Sequence, residues 1–155
     1  MKYNIFISYS TKDIEVVKKF QSILENTPDL NVFVAEDSVK AGEKLSGKIQ
    51  TAIKNSQLFL LLWSKNSKES EWVSQEIGIA KQAEKDILPI ILDKGMSAPG
   101  FISDLKYVAA HDDLEKTVKD VQDELKKRAK RHKKVSGLTL AGLTAAIIFV
   151  LFSSE

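Results

Sequence analysis

The sequence predicts an α/β protein built on a five-stranded, parallel, open sheet with helices packed on both faces. Three observations carry that expectation. Short β-rich runs alternate with amphipathic helical stretches, the order that right-handed βαβ crossovers require. The run Leu58–Trp63, LFLLLW, is apolar at every position, so both of its faces have to be covered, as happens to a central strand in a parallel sheet. The chain has 155 residues, one domain's worth plus a tail, with neither an internal repeat nor a low-complexity linker to divide it.

The elements follow in order. Tyr3 to Ser8, YNIFIS, is a β-rich run, and the polar turn STKD after it can cap a helix from Asp13 to about Asn26. Ile14, Val17, Phe20 and Leu24 share one face of that helix, and Asn26-Thr-Pro-Asp ends it. Asn31 to Ala35, NVFVA, is the second strand, followed by a polar loop from Glu36 to Lys44 that contains Gly42. Leu45, Ile49 and Ile53 mark the next helix, and Leu58–Trp63 is the buried strand after it. Ser70 can cap a helix over Trp72 to Lys85 whose Val73, Ile77 and Ala80 point inward. Ile87 to Leu92, ILPIIL, is another buried strand, and Tyr107 to Ala110 is a short last one. From Asp112 to about Lys134 runs a charged helix with Leu114, Val118, Val121 and Leu125 on one side. The expected division is therefore an α/β domain at 1–111, a charged helix with a basic juxtamembrane segment at 112–134, and a membrane helix at 135–152.

Charge is unevenly spread. The chain holds 23 Lys plus Arg against 21 Asp plus Glu, a net +2, but residues 126–134, KKRAKRHKK, contain seven of the bases and no acid. Positions 1–125 keep 16 bases against 20 acids, a net −4, so the body is a poor match for a nucleic-acid backbone. Beyond the basic block, Val135 to Phe152, VSGLTLAGLTAAIIFVLF, is uncharged. As a helix it rises about 27 Å, which just spans a bilayer core of roughly 30 Å. We read it as a single-pass C-terminal transmembrane anchor, with the basic block and the domain kept on the cytoplasmic side. A signal peptide would lie at the other end of the chain. Gly137, Ala141 and Ala145 recur every fourth residue, a spacing that lets two membrane helices approach closely but is also common in such helices.

An open parallel sheet binds ligands beyond the C-terminal ends of its strands, so the loops after Ser8, Ala35 and Trp63 are the place to look. Neither a Gly-rich dinucleotide fingerprint nor a phosphate loop follows the first strand, which leaves an ordinary NAD dehydrogenase or an NTPase without support. The phospho-acceptor signalling fold needs acids where this chain has Ser8-Tyr9-Ser10 and Trp63-Ser64. His111 and His132 have no GxSxG partner, so a hydrolase triad is also unsupported. With no cysteine in the chain, disulfides, Cys-ligated zinc, iron–sulfur clusters and thiol nucleophiles are excluded.

What remains is specific. FISYSTKD at the first strand, VFVAEDSVKAGEKL through the second strand and its loop, AIKNSQLFLLLWSKNSKESEWVSQEIGIA and then ILPIIL follow one another. Over Lys2 to about Tyr107 this order resembles the TIR (Toll/interleukin-1 receptor) domain family, and within it the microbial NAD-cleaving type. The resemblance implies a flavodoxin-like three-layer fold and a defence or immune signalling role. It implies that Glu76 cleaves the nicotinamide glycosidic bond, with Tyr9, Ser10, Thr11, Phe33, Lys40 and Trp72 around the dinucleotide. NAD is then the substrate, and neither a bound cofactor nor a metal is implied. Ser10 and Thr11 stand where animal NAD-cleaving members tend to carry basic residues, and Lys12 and Lys40 are the nearby cations. Members often share their active site between two protomers, the Glu36 to Lys44 loop docking on a neighbour, and membrane tethering would favour such self-association.

The chemistry can be judged apart from the name. Nicotinamide is a cationic leaving group that departs neutral, so no general acid is needed. One carboxylate under the ribose can stabilise the oxocarbenium-like sugar, whereas ordinary glycosidases need two. Trp72 and Glu76 are four residues apart and share a helix face. Three of the candidates also have a plainer reading: Glu76 as a solvated acid on an exposed helix face, Phe33 as a core residue, Trp72 as core packing. An exposed Glu76 would leave stability nearly unchanged on replacement. A non-catalytic scaffold acting only by contact between TIR domains is the alternative to the enzyme.

Overall fold

The structure, a computed structural model, describes residues 1–35 and 47–152, with side chains described through residue 138. Five strands, β1 (Tyr3–Ser8), β2 (Leu30–Val34), β3 (Leu58–Trp63), β4 (Asp86–Ile91) and β5 (Val108–Ala109), form one parallel sheet in the order β2-β1-β3-β4-β5. The helices are α1 (Ile14–Glu25), α2 (Gly47–Asn55), α3 (Lys65–Lys68), α4 (Glu71–Gln82) and α5 (Leu114–Phe152), with 3-10 turns at Thr11–Asp13 and Gly100–Ile102. The expected parallel sheet is therefore present. The strand order reverses direction between β1 and β3, which makes the end of β1 the switch point.

All six residues of β3 are buried, because α1 and α5 cover one face of the sheet and α2 and α4 the other. On the first face Ile5, Ile7, Leu60 and Leu62 meet Val17, Phe20 and Leu24 of α1 and Val118, Val121, Leu125 and Ala129 of α5. On the second, Phe6, Phe59 and Leu61 meet Ile49 and Ile53 of α2 and Val73, Ile77 and Ala80 of α4. Val118, Val121, Leu125 and Ala129 of α5 thus belong to the same buried layer as the sheet and α1.

Several local departures have clear causes. Ile14, expected on the buried face of α1, is 36% exposed, because it stands at the first helical position while Val17, Phe20 and Leu24 take the sheet side. The helix expected to reach Lys85 stops at Gln82: Glu84 adopts φ 52°, and Lys85 N–H turns back onto Ala80 O at 2.9 Å. The four-residue α3 was not expected, having no apolar period. It is held by a capping box in which Ser64 and Ser67 bond each other's backbone N–H. Leu45, expected in the second helix, lies outside the described residues.

Residues 128–133 of α5 lie at the edge where the strands begin. Arg128 pairs with Asp86, the first residue of β4, and with Glu124. Lys133 pairs with Asp29, just ahead of β2, at 3.2 Å, and the Tyr3 ring meets His132 edge-on at 5.6 Å. Burial pushes the Tyr3 phenol above its ordinary range. Among the described residues no helix is long and apolar enough to cross a membrane. The transmembrane helix expected over Val135–Phe152 falls mostly on side chains outside the described set, although the α5 backbone stays helical through Phe152.

Candidate functional site

The site is built from the end of β1 outward. Ser8 is the last residue of β1, fully buried, and by the alternation of the strand it faces the α4 side together with Phe6. Its hydroxyl donates a hydrogen bond to Glu76 Oε2. Glu76 is only 4% exposed, which overturns the expectation of an exposed carboxylate. The reason is its phase: residues 73, 76, 77 and 80 lie on one face of α4, so Glu76 occupies the same inward stripe as Val73, Ile77 and Ala80. Ser70 fixes the start of that helix, its hydroxyl accepting from Val73 N–H at 3.3 Å.

A carboxylate taken out of water needs donors, and Ser8 supplies one of them. The result is an acid fixed at the switch point of the sheet.

Two further aromatic candidates lie on the same side of the sheet. Phe33 is half-buried and stacks on Phe6 with centroids 5.5 Å apart, and Phe6 stacks in turn on Phe59 at 5.5 Å. Trp72 is half-buried and packs against the α2–α4 core. Ser10 and Thr11 follow the end of β1. Ser10 is buried and caps the Thr11–Asp13 turn, accepting from Lys12 N–H at 3.4 Å, while Thr11 is exposed. Tyr9 is separated from this group: it is buried in the α1–α5 cluster with Ile5 and Ile7, because the alternation of β1 carries odd positions to the far face. Lys40 and the rest of the Glu36 to Lys44 loop lie outside the described residues.

The sequence did not single out Ser8, Asp13, Ser64 or Asn66 for this region. Asp13 accepts from Ser64 Oγ at 2.5 Å and from Asn66 Nδ2 at 2.7 Å, which ties the turn after β1 to the turn after β3. Lys65 N–H in turn reaches Asp93 Oδ2 at 2.7 Å, adding the turn after β4. Three loops at the C-terminal edge are thus joined by side-chain hydrogen bonds. One signal was available in the sequence: a serine ending the apolar run NIFIS has to find a partner when it is buried. Among the described residues no group of three or more His, Cys, Asp or Glu side chains is gathered closely enough to hold a metal ion.

A doubly covered parallel sheet with a buried carboxylate at its switch point defines the class, and a family model for the TIR domain matches residues 5–127. The chain belongs to the TIR domain family. Over 96 residues it is 33% identical to a probable 2' cyclic ADP-D-ribose synthase, TcpO, of Methanobrevibacter olleyae. That match covers 59% of this chain and 28% of the relative, so the chain spans well under half the relative's length. In fold it is similar to the crystal structure of the TIR domain of the Toll-related receptor TRR-2 from Hydra magnipapillata, with a TM-score of 0.63 and 21% identity over 83% of this chain and 99% of that one.

Proposed function

We propose that this chain is a TIR enzyme that cleaves NAD into nicotinamide and ADP-ribose or a cyclic form of it, and that Glu76 is its catalytic residue. The observation that carries the proposal is the buried Glu76, held by Ser8 at the C-terminal edge of the sheet. A carboxylate positioned in a poorly solvated site interacts strongly with developing positive charge, because little water screens it and no reorganisation is needed at the moment of reaction. Nicotinamide leaves as a neutral base, so one acid suffices. The similarity to a probable cyclic ADP-ribose synthase supports the same chemistry. In this reading NAD is the substrate; Phe33 and Trp72, on the Glu76 side of the sheet, flank it, and Ser10, Thr11 and Lys40 contribute from the loops.

The proposal extends to assembly and location. Protomers associate through their TIR domains, the Glu36 to Lys44 loop completing a neighbour's site. The apolar segment Val135–Phe152 anchors the chain with the domain on the cytoplasmic side, as the adjoining basic block favours. The role is defence signalling.

The test is release of free nicotinamide from NAD by the purified full chain. Glu76→Gln retains the side-chain shape and still offers Ser8 an acceptor, so it should fold and yet release none. Release by Glu76→Gln at the parent rate refutes the assignment, and no release by the parent chain leaves the scaffold reading in its place.

A further inference from the structure

The basic block is not a loose tethering strap. Its helix is clamped to the edge of the sheet where the strands begin, through Arg128 to Asp86, Lys133 to Asp29 and the Tyr3–His132 ring contact. The clamp continues to Ser136, whose hydroxyl lies 3.9 Å from Met1 Sδ. This is the end of the domain opposite Ser8 and Glu76, which sit where β1 finishes.

The clamp also sorts the charges. Asp29 and Asp86 are taken by Lys133 and Arg128, and Glu124 by Arg128 and Arg131. Lys127, Lys130 and Lys134, with Lys2 on the adjoining start of β1, are all exposed. Lys54 and Lys85 close the neighbouring turns, with exposed Glu84 and Asp104 beside them. The same helix is led in by exposed Asp112 and Asp113, and Glu115 lies in its first turn. Base therefore marks the end that leads into the apolar segment, while the turns at the other end mix exposed Lys12, Lys65, Lys68 and Lys94 with exposed Glu69, Glu71, Asp112 and Asp113.

We propose that the strand-entry end, presenting Lys2, Lys127, Lys130 and Lys134, docks flat on anionic phospholipid headgroups and holds the Glu76 end facing away from the bilayer. The partner follows from charge complementarity and from continuity, since α5 carries this patch without a break into the uncharged segment beginning at Val135. The inference rests on the anchoring reading above. It adds that headgroup contacts at these lysines hold the domain in one orientation, where the helix alone would leave it free to tilt at the leaflet. Side-by-side protomers would then present their candidate sites in one plane. Each lysine near an anionic leaflet favours the docked state roughly fivefold, so three of them bias it by about a hundredfold.

The chain has no cysteine, so single cysteines report without background. Full-length Lys2→Cys and Lys65→Cys proteins, each carrying a fluorophore, are reconstituted into phosphatidylcholine vesicles with and without phosphatidylserine, and energy transfer to headgroup-labelled lipid is measured. The two labels lie at opposite ends of a sheet roughly 20 Å tall. With phosphatidylserine, transfer should be strong from position 2 and weak from position 65. The difference should shrink without phosphatidylserine, at high salt, and in the triple variant Lys127→Glu, Lys130→Glu, Lys134→Glu, whose melting curve checks that it is folded. Salt-resistant flotation with vesicles but equal transfer from both positions, or a difference indifferent to phosphatidylserine, overturns the docking proposal and leaves the anchor standing. Failure to float with either vesicle overturns both.

Discussion

Replacing Ser8 by alanine tests the centre of the site with a change of one oxygen atom. The side chain is fully buried at the end of β1, so the loss opens little space and no bulk water stands ready to replace the hydroxyl. What disappears is one donor to Glu76 Oε2. A hydrogen bond to a charged group contributes about 1.5–3 kcal/mol. That loss should lower the thermal midpoint by roughly 3–10 °C for a domain of this size. If the same carboxylate faces the developing charge on the sugar, a comparable energy in the transition state slows nicotinamide release by about ten- to a hundredfold. Nicotinamide release, with a melting curve on the same samples, gives both readouts. A parent-like rate would refute the argument that Ser8 positions the acid.

Three other outcomes are expected. Leu125→Ala should cost about 2–5 kcal/mol, because Leu125 is fully buried in the layer shared by α1, α5 and the sheet; an unchanged denaturation midpoint would detach α5 from the core. If the site is completed by a neighbour, nicotinamide released per mole of protein should rise with protein concentration, and a flat line would make each protomer self-sufficient. A chain ending at Lys134 should leave the membrane fraction for the soluble one in fractionated cells, whereas sedimentation of the shortened chain with membranes after a high-salt wash would remove the anchor reading.

The legible part of this protein was its alternation of elements. LFLLLW reads as a doubly covered strand, and the 73, 77, 80 stripe turns a helix onto it, because burial periodicity is a local property written residue by residue. Glu76 was found by resemblance, yet its environment was misjudged. One acid on a helix reads as solvated until the strand it packs on is known. Phe33 and Trp72 are half-buried beside the core, and Tyr9 lies on the far face of the sheet. α3 escaped notice because four residues held by serine caps carry no apolar period.

The sequence by itself determined the parallel α/β architecture, the separation of an acidic body from a basic block, and the position of one glutamate in a motif. These are local or additive quantities: periodicity, charge and residue order. Only the tertiary structure decided that Ser8 and Glu76, 68 positions apart, share a hydrogen bond, that Asp13 joins the turns after β1 and β3, and that Arg128, His132 and Lys133 fasten the basic helix to the opposite edge of the sheet. Those contacts depend on strand order and on the phase of each helix against the sheet. No window of neighbouring residues contains either, because both are settled by how the layers pack around a common core.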